Sequence, residues 1–127
     1  MMTTITIYHH PRCSKSRETL ALVQDISVKN ALPLTVVEYQ KTPLNIAQLQ
    51  VLQQQLGLSL RAMVRDNEDE YTALNLTHAD DARLLAALAS HPQLLQRPIV
   101  SYQGKAMIGR PPEQVLALFE ERMKVTA

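Results

Sequence analysis

TITIYHHPRCSKSR, residues 4–17, predicts a strand that runs directly into a helix. Apolar and polar residues alternate over residues 4–8, as they do in a half-buried strand. Cys13, the single cysteine of the chain, stands where the helix begins. A thiol there faces unpaired backbone N–H groups and the positive end of the helix dipole, and both favour the thiolate. Arg12, Lys15 and Arg17 add positive charge nearby, so we expect Cys13 to be a nucleophile and not an inert core residue.

This stretch opens a strand–helix–strand unit. Leu20, Ala21 and Val23 recur at spacings that predict a helix over residues 16–25. Residues 34–39 are rich in β-branched side chains and follow Pro33, so they predict a second strand. A helical crossover between two strands makes them parallel.

The middle of the chain, about residues 43–95, predicts a helical insertion. Gly57 ends its first helix, residues 60–64 suit a shorter one, and a third ends before Pro92. The apolar positions that mark the first helix are Ile46, Leu49, Val51, Leu52 and Leu56.

The C-terminal part predicts a hairpin and a last helix. Residues 98–102 and 105–108 are strand-like and flank Gln103-Gly104, and Pro111 opens the helix. Its inward positions are predicted to be Val115, Leu118, Phe119 and Met123. The fold class is therefore α/β: β-α-β, a helical insertion between the second and third strands, then β-β-α, as a single domain of residues 1–127.

Composition narrows the function classes. Thirteen Lys and Arg against twelve Asp and Glu leave a formal charge of +1, so no overall field favours nucleic acid or a membrane surface. One cysteine forms no internal disulfide, and neither a leader pattern nor an apolar run of membrane-spanning length is present. We therefore expect a cytoplasmic protein. With only three glycines and no Gly-rich dinucleotide turn, we expect no bound redox cofactor.

The order of elements, a cysteine after the first strand and an X-Pro step before the third strand resemble a thioredoxin-like fold. More specifically, the chain resembles the glutaredoxin-coupled arsenate reductase family over most of its length. The matching stretches are residues 5–9 before Pro11-x-Cys13, Ser16-Arg17-x-Thr19-Leu20, Leu60-Arg61-Ala62, Arg65-x-Asn67, His91-Pro92, Arg97-Pro98-Ile99-Val100 and Gly109-Arg110-Pro111.

The resemblance implies a role for each matching site residue. Cys13 would be the nucleophile that bonds to arsenic, and His9 would lie near the thiolate and assist its ionisation. The oxyanion pocket would be formed by Arg61, Arg97 and Arg110, with Ser16 also in the substrate-binding set. Since one cysteine cannot close a disulfide within the chain, the resemblance implies glutathione as co-substrate and a glutaredoxin as partner.

The arginines also make physical sense as an oxyanion pocket. Arsenate carries a charge of about −2 at neutral pH, as phosphate groups do, and planar guanidinium groups bind such oxygens in bidentate fashion. Arg97 and Arg110 each precede a proline at the margin of a predicted strand, where a tight turn can aim a side chain into a cleft. Only the resemblance selects Arg61. We predict a cis Arg97-Pro98 bond from the thioredoxin-like position. His9 and His10 lack the further ligands that a metal site needs, so no metal is expected.

Two alternatives remain open at this stage. A thioredoxin-fold regulator of the Spx type, which binds RNA polymerase, often carries Cys-x-x-Cys, whereas this chain has Cys13-x-x-Ser16. A glutathione-linked thiol oxidoreductase would use the arginines to bind carboxylates. Ser14 and Lys15 stand after Cys13, where a glycine is usual in arsenate reductases. The bulk and charge of these two residues leave the preference for arsenate open.

Overall fold

The computed structural model describes residues 3–120, which fall into two compact units. Of the described residues, the first unit comprises 3–38 and 97–120, and the second comprises 39–96. In the first unit, strand β1 is followed by helix α1 and strand β2, and the chain returns as strands β3 and β4 and a 3-10 helix. The bounds are β1 Ile5–His9, α1 Ser14–Asn30, β2 Leu34–Glu38, β3 Ile99–Tyr102, β4 Lys105–Ile108 and the 3-10 helix Pro112–Phe119.

The four strands form one sheet in the order β2-β1-β3-β4. Strand β1 pairs in parallel with β2, as predicted, so that His9 lies opposite Glu38. It pairs antiparallel with β3, and β3 and β4 form the predicted hairpin. Gln103 and Gly104 turn that hairpin with φ values of 51° and 80°, the left-handed conformation that two-residue hairpin loops require. The central place of β1 fixes where its C-terminal end, and thus the strand-to-helix turn, must lie.

The core of the first unit lies between α1, the sheet and the 3-10 helix. Alternate residues of β1, Ile5 and Ile7, are fully buried with Val23 of α1. The rings of Tyr102 and Phe119 pack with centroids 4.7 Å apart. Burying each such side chain stabilises the fold by roughly 1.5–3 kcal/mol.

The C-terminal helix differs from its prediction in type. Val115 and Phe119 are buried, as predicted, and Leu118 is half-buried, but the segment is a 3-10 helix whose first residue is Pro112. Met123 lies outside the described residues.

The second unit is helical. Its elements are α2 Ile46–Leu56, α3 Asp69–Ala73, α4 Asp81–Ser90 and two short 3-10 helices, Arg61–Met63 and Pro92–Leu94. Asn45 and Gln48 cap the start of α2 reciprocally, and Gly57 ends it with φ 66°. The buried faces of α2 and α4 pack against each other. None of the helices within residues 3–120 is long and apolar enough to cross a membrane.

Three details of this unit depart from the sequence prediction. Residues 60–64 contain a single 3-10 turn and not a helix of their own. Ile46 and Val51, taken as markers of the first helix, are 45% and 53% exposed. Helix α3 was not predicted, because none of its five residues is buried and its sequence therefore has no apolar period.

Candidate active site

Cys13 is the N-cap residue of α1 and closes the turn that follows β1. Its N–H donates to the carbonyl oxygen of His10 at 3.0 Å, and its own carbonyl accepts the first helical hydrogen bond from Arg17 N–H, also at 3.0 Å. The backbone of Cys13 is extended, with φ −92° and ψ 123°. The half-buried Cys13 side chain occupies the N-cap position, where Asp or Ser usually stands, although it makes no regular side-chain capping hydrogen bond.

Two arginines from the other end of the first unit reach this cysteine. Arg110 Nη2 donates to Cys13 Sγ at 3.3 Å, while Arg110 Nε donates to the Arg97 carbonyl at 2.7 Å. The predicted cis Arg97-Pro98 bond is confirmed, and Arg110-Pro111 is a second cis bond that was not predicted. Cys13, Arg97 and Arg110 are thus brought together, as the sequence analysis expected.

The surroundings lower the pKa of the Cys13 thiol. Partial burial, the largest single influence, raises it. The backbone N–H groups of Ser16 and Lys15 act in the opposite direction, as do a hydrogen bond from the Arg97 side chain and the charge of Arg110. Together these donors outweigh burial, so the pKa of Cys13 lies below the ordinary value for a thiol.

His9 and Ser16 form a buried pair beneath the turn. His9 Nδ1 and Ser16 Oγ are 2.6 Å apart, and His10 N–H donates to the same hydroxyl at 2.9 Å. Burial lowers the pKa of His9, Glu38 opposes that effect and Arg17 adds to it, so the imidazole is neutral at pH 7. The contact of His9 with Ser16 supports an indirect influence on Cys13, through the shape of the turn.

Ser16 has a different environment from the one that its predicted substrate-binding role implies. Its side chain is 0% exposed and engaged with His9 and the His10 backbone. What Ser16 offers the sulfur is its backbone N–H. These contacts support a positioning role, and substrate contact by Ser16 stays a prediction.

Arg61 belongs to the second unit and is engaged within it. Its Nη1 donates to the Tyr71 hydroxyl at 2.9 Å, and its Nη2 donates to the carbonyls of Leu76 and Ala79 at 3.2 and 2.8 Å. The guanidinium therefore ties the 3-10 turn to the segment that follows α3. Its predicted role in an oxyanion pocket stays a prediction.

Sequence reasoning missed several residues that shape the turn. Arg17 Nη1 donates to the Pro11 carbonyl at 3.0 Å, and buried Thr19 lies against Gly109. Both Arg17 and Thr19 stand in the quoted stretch Ser16-Arg17-x-Thr19-Leu20, and Gly109 precedes Arg110. Their presence in the matching stretches was the available signal, but only the tertiary contacts show what they do.

The comparisons with known proteins fit this geometry. The model of the ArsC family matches residues 8–118, so the chain belongs to that family. An arsenate reductase of Neisseria meningitidis is 42% identical over 120 residues, which cover 92% of this chain and 99% of that protein. The uncharacterised protein YfgD of Escherichia coli K12 is 46% identical over 121 residues, covering 93% and 98%. A solved structure described as arsenate reductase from Vibrio cholerae has a TM-score of 0.83 and 46% identity, covering 92% of this chain and 98% of that one. The fold is thioredoxin-like, as expected.

The lowered thiol pKa predicts that alkylation of Cys13 stays fast at a lower pH than alkylation of an ordinary thiol. The rate of reaction with iodoacetamide, followed against pH, should have its midpoint below that of a free cysteine peptide measured alongside. Arg110→Ala should move the midpoint upward, because a donor and a positive charge leave the sulfur.

Lys29→Ala is the matched control, since it also removes one positive charge, but from the far end of α1. Lys29 lies in the last turn of this 17-residue helix, roughly 25 Å from Cys13 by helical rise and beyond the Debye length of about 10 Å. If the wild-type protein and both variants share the peptide's midpoint, Cys13 is merely exposed.

The contacts of Arg61 predict a stability effect. Arg61→Ala should lower the free energy of unfolding by about 1–3 kcal/mol, because the Leu76 and Ala79 carbonyls and the Tyr71 hydroxyl lose their donor. Arg61→Lys should recover only part of this, since one ammonium cannot reproduce the fork. Exposed Arg12→Ala is the control, expected within about 0.5 kcal/mol of wild type. Urea unfolding measures all three, and an Arg61→Ala variant as stable as the control would contradict the structural role.

Proposed function

We propose that this protein is an arsenate reductase that works through a covalent bond between Cys13 and arsenic. The observation that carries the proposal is the 3.3 Å contact of Arg110 Nη2 with Cys13 Sγ, which pairs a nucleophile with an anion-binding group. Membership of the ArsC family, with relatives named arsenate reductase at 34–42% identity, supports arsenate as the oxyanion.

In the first step the Cys13 thiolate attacks arsenic(V). An S–As bond forms, and one As–O bond breaks so that the oxygen leaves as hydroxide and is protonated to water. Arg97 and Arg110 hold the remaining oxygens and offset the charge that builds up on them. On the strength of the resemblance we retain Arg61 as a third arginine of the pocket. The neutral His9, held by Ser16, keeps the turn in the conformation that presents the sulfur.

The second step needs two electrons from outside the chain. An external thiolate attacks the Cys13 sulfur of the adduct: an S–S bond forms, and the S–As bond breaks with its electron pair kept by arsenic, which goes from the +5 to the +3 state and leaves as arsenite. Cys13 is the only cysteine, so the resolving thiol must come from another molecule. We propose glutathione as that thiol and a glutaredoxin as the protein that clears the mixed disulfide, with no bound cofactor, in the cytoplasm.

Two other functions would use the same thiolate. A glutathione-linked oxidoreductase would attack a sulfur in place of arsenic, and a regulator would use Cys13 as a redox switch for binding RNA polymerase. The pairing of arginines with the sulfur favours oxyanion chemistry over the regulator. Measuring arsenate reduction beside reduction of a glutathionylated peptide separates the first two. Binding to RNA polymerase with neither activity would favour the regulator.

Cys13→Ser should abolish arsenate reduction in the presence of glutathione and glutaredoxin. A serine hydroxyl is nearly isosteric but stays protonated near neutral pH, so it cannot attack arsenic. The readout is arsenite formed per enzyme, with circular dichroism to check the fold.

A matched control keeps one thiol but moves it by one residue. The double variant Cys13→Ser with Ser14→Cys carries an exposed sulfur at the first position of α1, where Arg110 does not hold it. It should remain inactive. Substantial turnover by Cys13→Ser alone would remove Cys13 from the mechanism.

The two arginines should act on catalysis and not on stability alone. Arg97→Ala and Arg110→Ala should each lower kcat/KM for arsenate by about 100-fold or more, the effect of removing one preorganised donor. Lys29→Ala, at the far end of α1, should change it little. Steady-state kinetics on folded variants test this. Equal losses of kcat/KM at all three positions would show that Arg97 and Arg110 contribute no more to catalysis than a distant positive charge.

A further inference from the structure

Gly109 stands where a larger residue has no room. It follows β4 directly and precedes Arg110. A methyl group at its Cα would come 2.6 Å from Thr19 Oγ1, 2.9 Å from Pro98 Cγ and 3.0 Å from Thr19 Cγ2. Real side-chain atoms do not approach this closely, so one of these segments would have to move. The backbone of Gly109 is not in the left-handed region, so the need for glycine here is one of space.

Thr19 is the side chain against which Gly109 packs. It is 0% exposed and lies on α1, six residues after Cys13 in the sequence. Its hydroxyl donates to the Lys15 carbonyl at 2.8 Å and lies 3.5 Å from the Gly109 carbonyl. Thr19 therefore joins the first turn of α1, which carries the cysteine, to the segment that carries Arg110.

A second set of contacts joins Gly109 to Arg97. Gly109 N–H donates to the Pro98 carbonyl at 2.8 Å, and Arg110 Nε donates to the Arg97 carbonyl at 2.7 Å. Residues 97–98 and 109–110 are thus held side by side, with Thr19 behind them. A shift of Gly109 by several tenths of an ångström would move the backbone of Arg110 with it.

We propose that Gly109 and Thr19 are positioning residues whose close packing sets the distance between the Arg110 guanidinium and Cys13 Sγ. Neither residue touches the reacting atoms. Their contact replaces the freedom of a loop with a fixed spacing between α1 and the arginine. A test by the kinetics of arsenate reduction rests on the proposed function, whereas a test by alkylation of the Cys13 thiol does not.

Gly109→Ala is the direct test. At a temperature well below its melting temperature, we expect the pH midpoint of iodoacetamide alkylation to move upward. Sulfate, an oxyanion that Arg97 and Arg110 can bind, should slow alkylation of wild-type Cys13, and the sulfate concentration needed should rise about tenfold in Gly109→Ala, as for the loss of one charge-assisted hydrogen bond. For arsenate, KM should rise more than kcat falls, because binding depends on the arginine while the thiol remains. Wild-type alkylation and protection in a folded Gly109→Ala protein would overturn the proposal.

Gly57→Ala is the matched control for a merely structural effect. Gly57 has φ 66° and open space around its Cα, so alanine should lower the melting temperature through backbone strain. It should leave the alkylation midpoint and sulfate protection of Cys13 unchanged. If it shifts them as Gly109→Ala does, the effect is general destabilisation and the proposal fails.

Variants of Thr19 complete the design. The double variant Gly109→Ala with Thr19→Ala should have an alkylation midpoint closer to that of wild type than Gly109→Ala alone has, because two of the three close approaches disappear. If the alkylation midpoint of the double variant is shifted as far as that of Gly109→Ala, the proposal that lack of space moves Arg110 is overturned.

If Gly109→Ala fails to fold, Thr19→Ala and Thr19→Ser still test the positioning role. Thr19→Ala should raise the pH midpoint of Cys13 alkylation. Thr19→Ser keeps the hydroxyl and should have the midpoint of wild type. Wild-type behaviour of Thr19→Ala would contradict the proposal. If wild-type protein does not reduce arsenate, the proposed function fails, and the thiol measurements still test the positioning role.

Discussion

The hydrogen bond from Arg110 to Cys13 is the interaction on which the candidate site depends. It joins two residues 97 positions apart in the chain, and no local structure can bring them together. The site forms only when β1, which leads into Cys13, pairs with β3, and β3 in turn pairs with β4, which leads into Arg110. The folded sheet therefore adds Arg97 and Arg110 to the local backbone donors of Ser16 and Lys15 that already favour the thiolate.

The sulfur shows how competing effects are balanced. Burial alone would raise the pKa of the Cys13 thiol, and the helix N-terminus and two arginines together lower it below the ordinary value. The side chains of Ser14 and Lys15 point to solvent, and Lys15 pairs with Glu18 at 3.5 Å. The backbone N–H of Lys15 still favours the thiolate. Replacing the glycine that is usual after the cysteine thus leaves the backbone donors in place and changes mainly the surface beside them.

Much of the fold could be predicted, because its signals are local. The alternation of residues 4–8, the turn pair Gln103-Gly104 and the helix stop Gly57 each depend on neighbouring residues only. Helix α3 was not predicted because none of its five residues is fully buried, and the C-terminal segment follows 3-10 geometry that an apolar period does not distinguish from an α-helix.

The site was predictable in part for the same reason. Cys13 could be found from its own surroundings, while Arg97 and Arg110 needed a proline context and a resemblance. The hydrogen bonds of Arg61 and the packing of Thr19 on Gly109 depend on segments that meet only in three dimensions. Nothing in the adjacent sequence reports such contacts.

The sheet order also determines how the helical residues are attached. Strands β2 and β3 flank β1, with Glu38 opposite His9 on one side and Ile99 opposite Tyr8 on the other. Two strand spacings separate them, about 10 Å. The chain therefore leaves the sheet at the end of β2 and re-enters it at the start of β3, which are neighbouring points. The 58 residues 39–96 connect them. Cys13, Arg97, Arg110 and the Thr19–Gly109 contact all belong to the first unit, so a change of length within residues 39–96 would leave the order of the strands that bring them together unchanged.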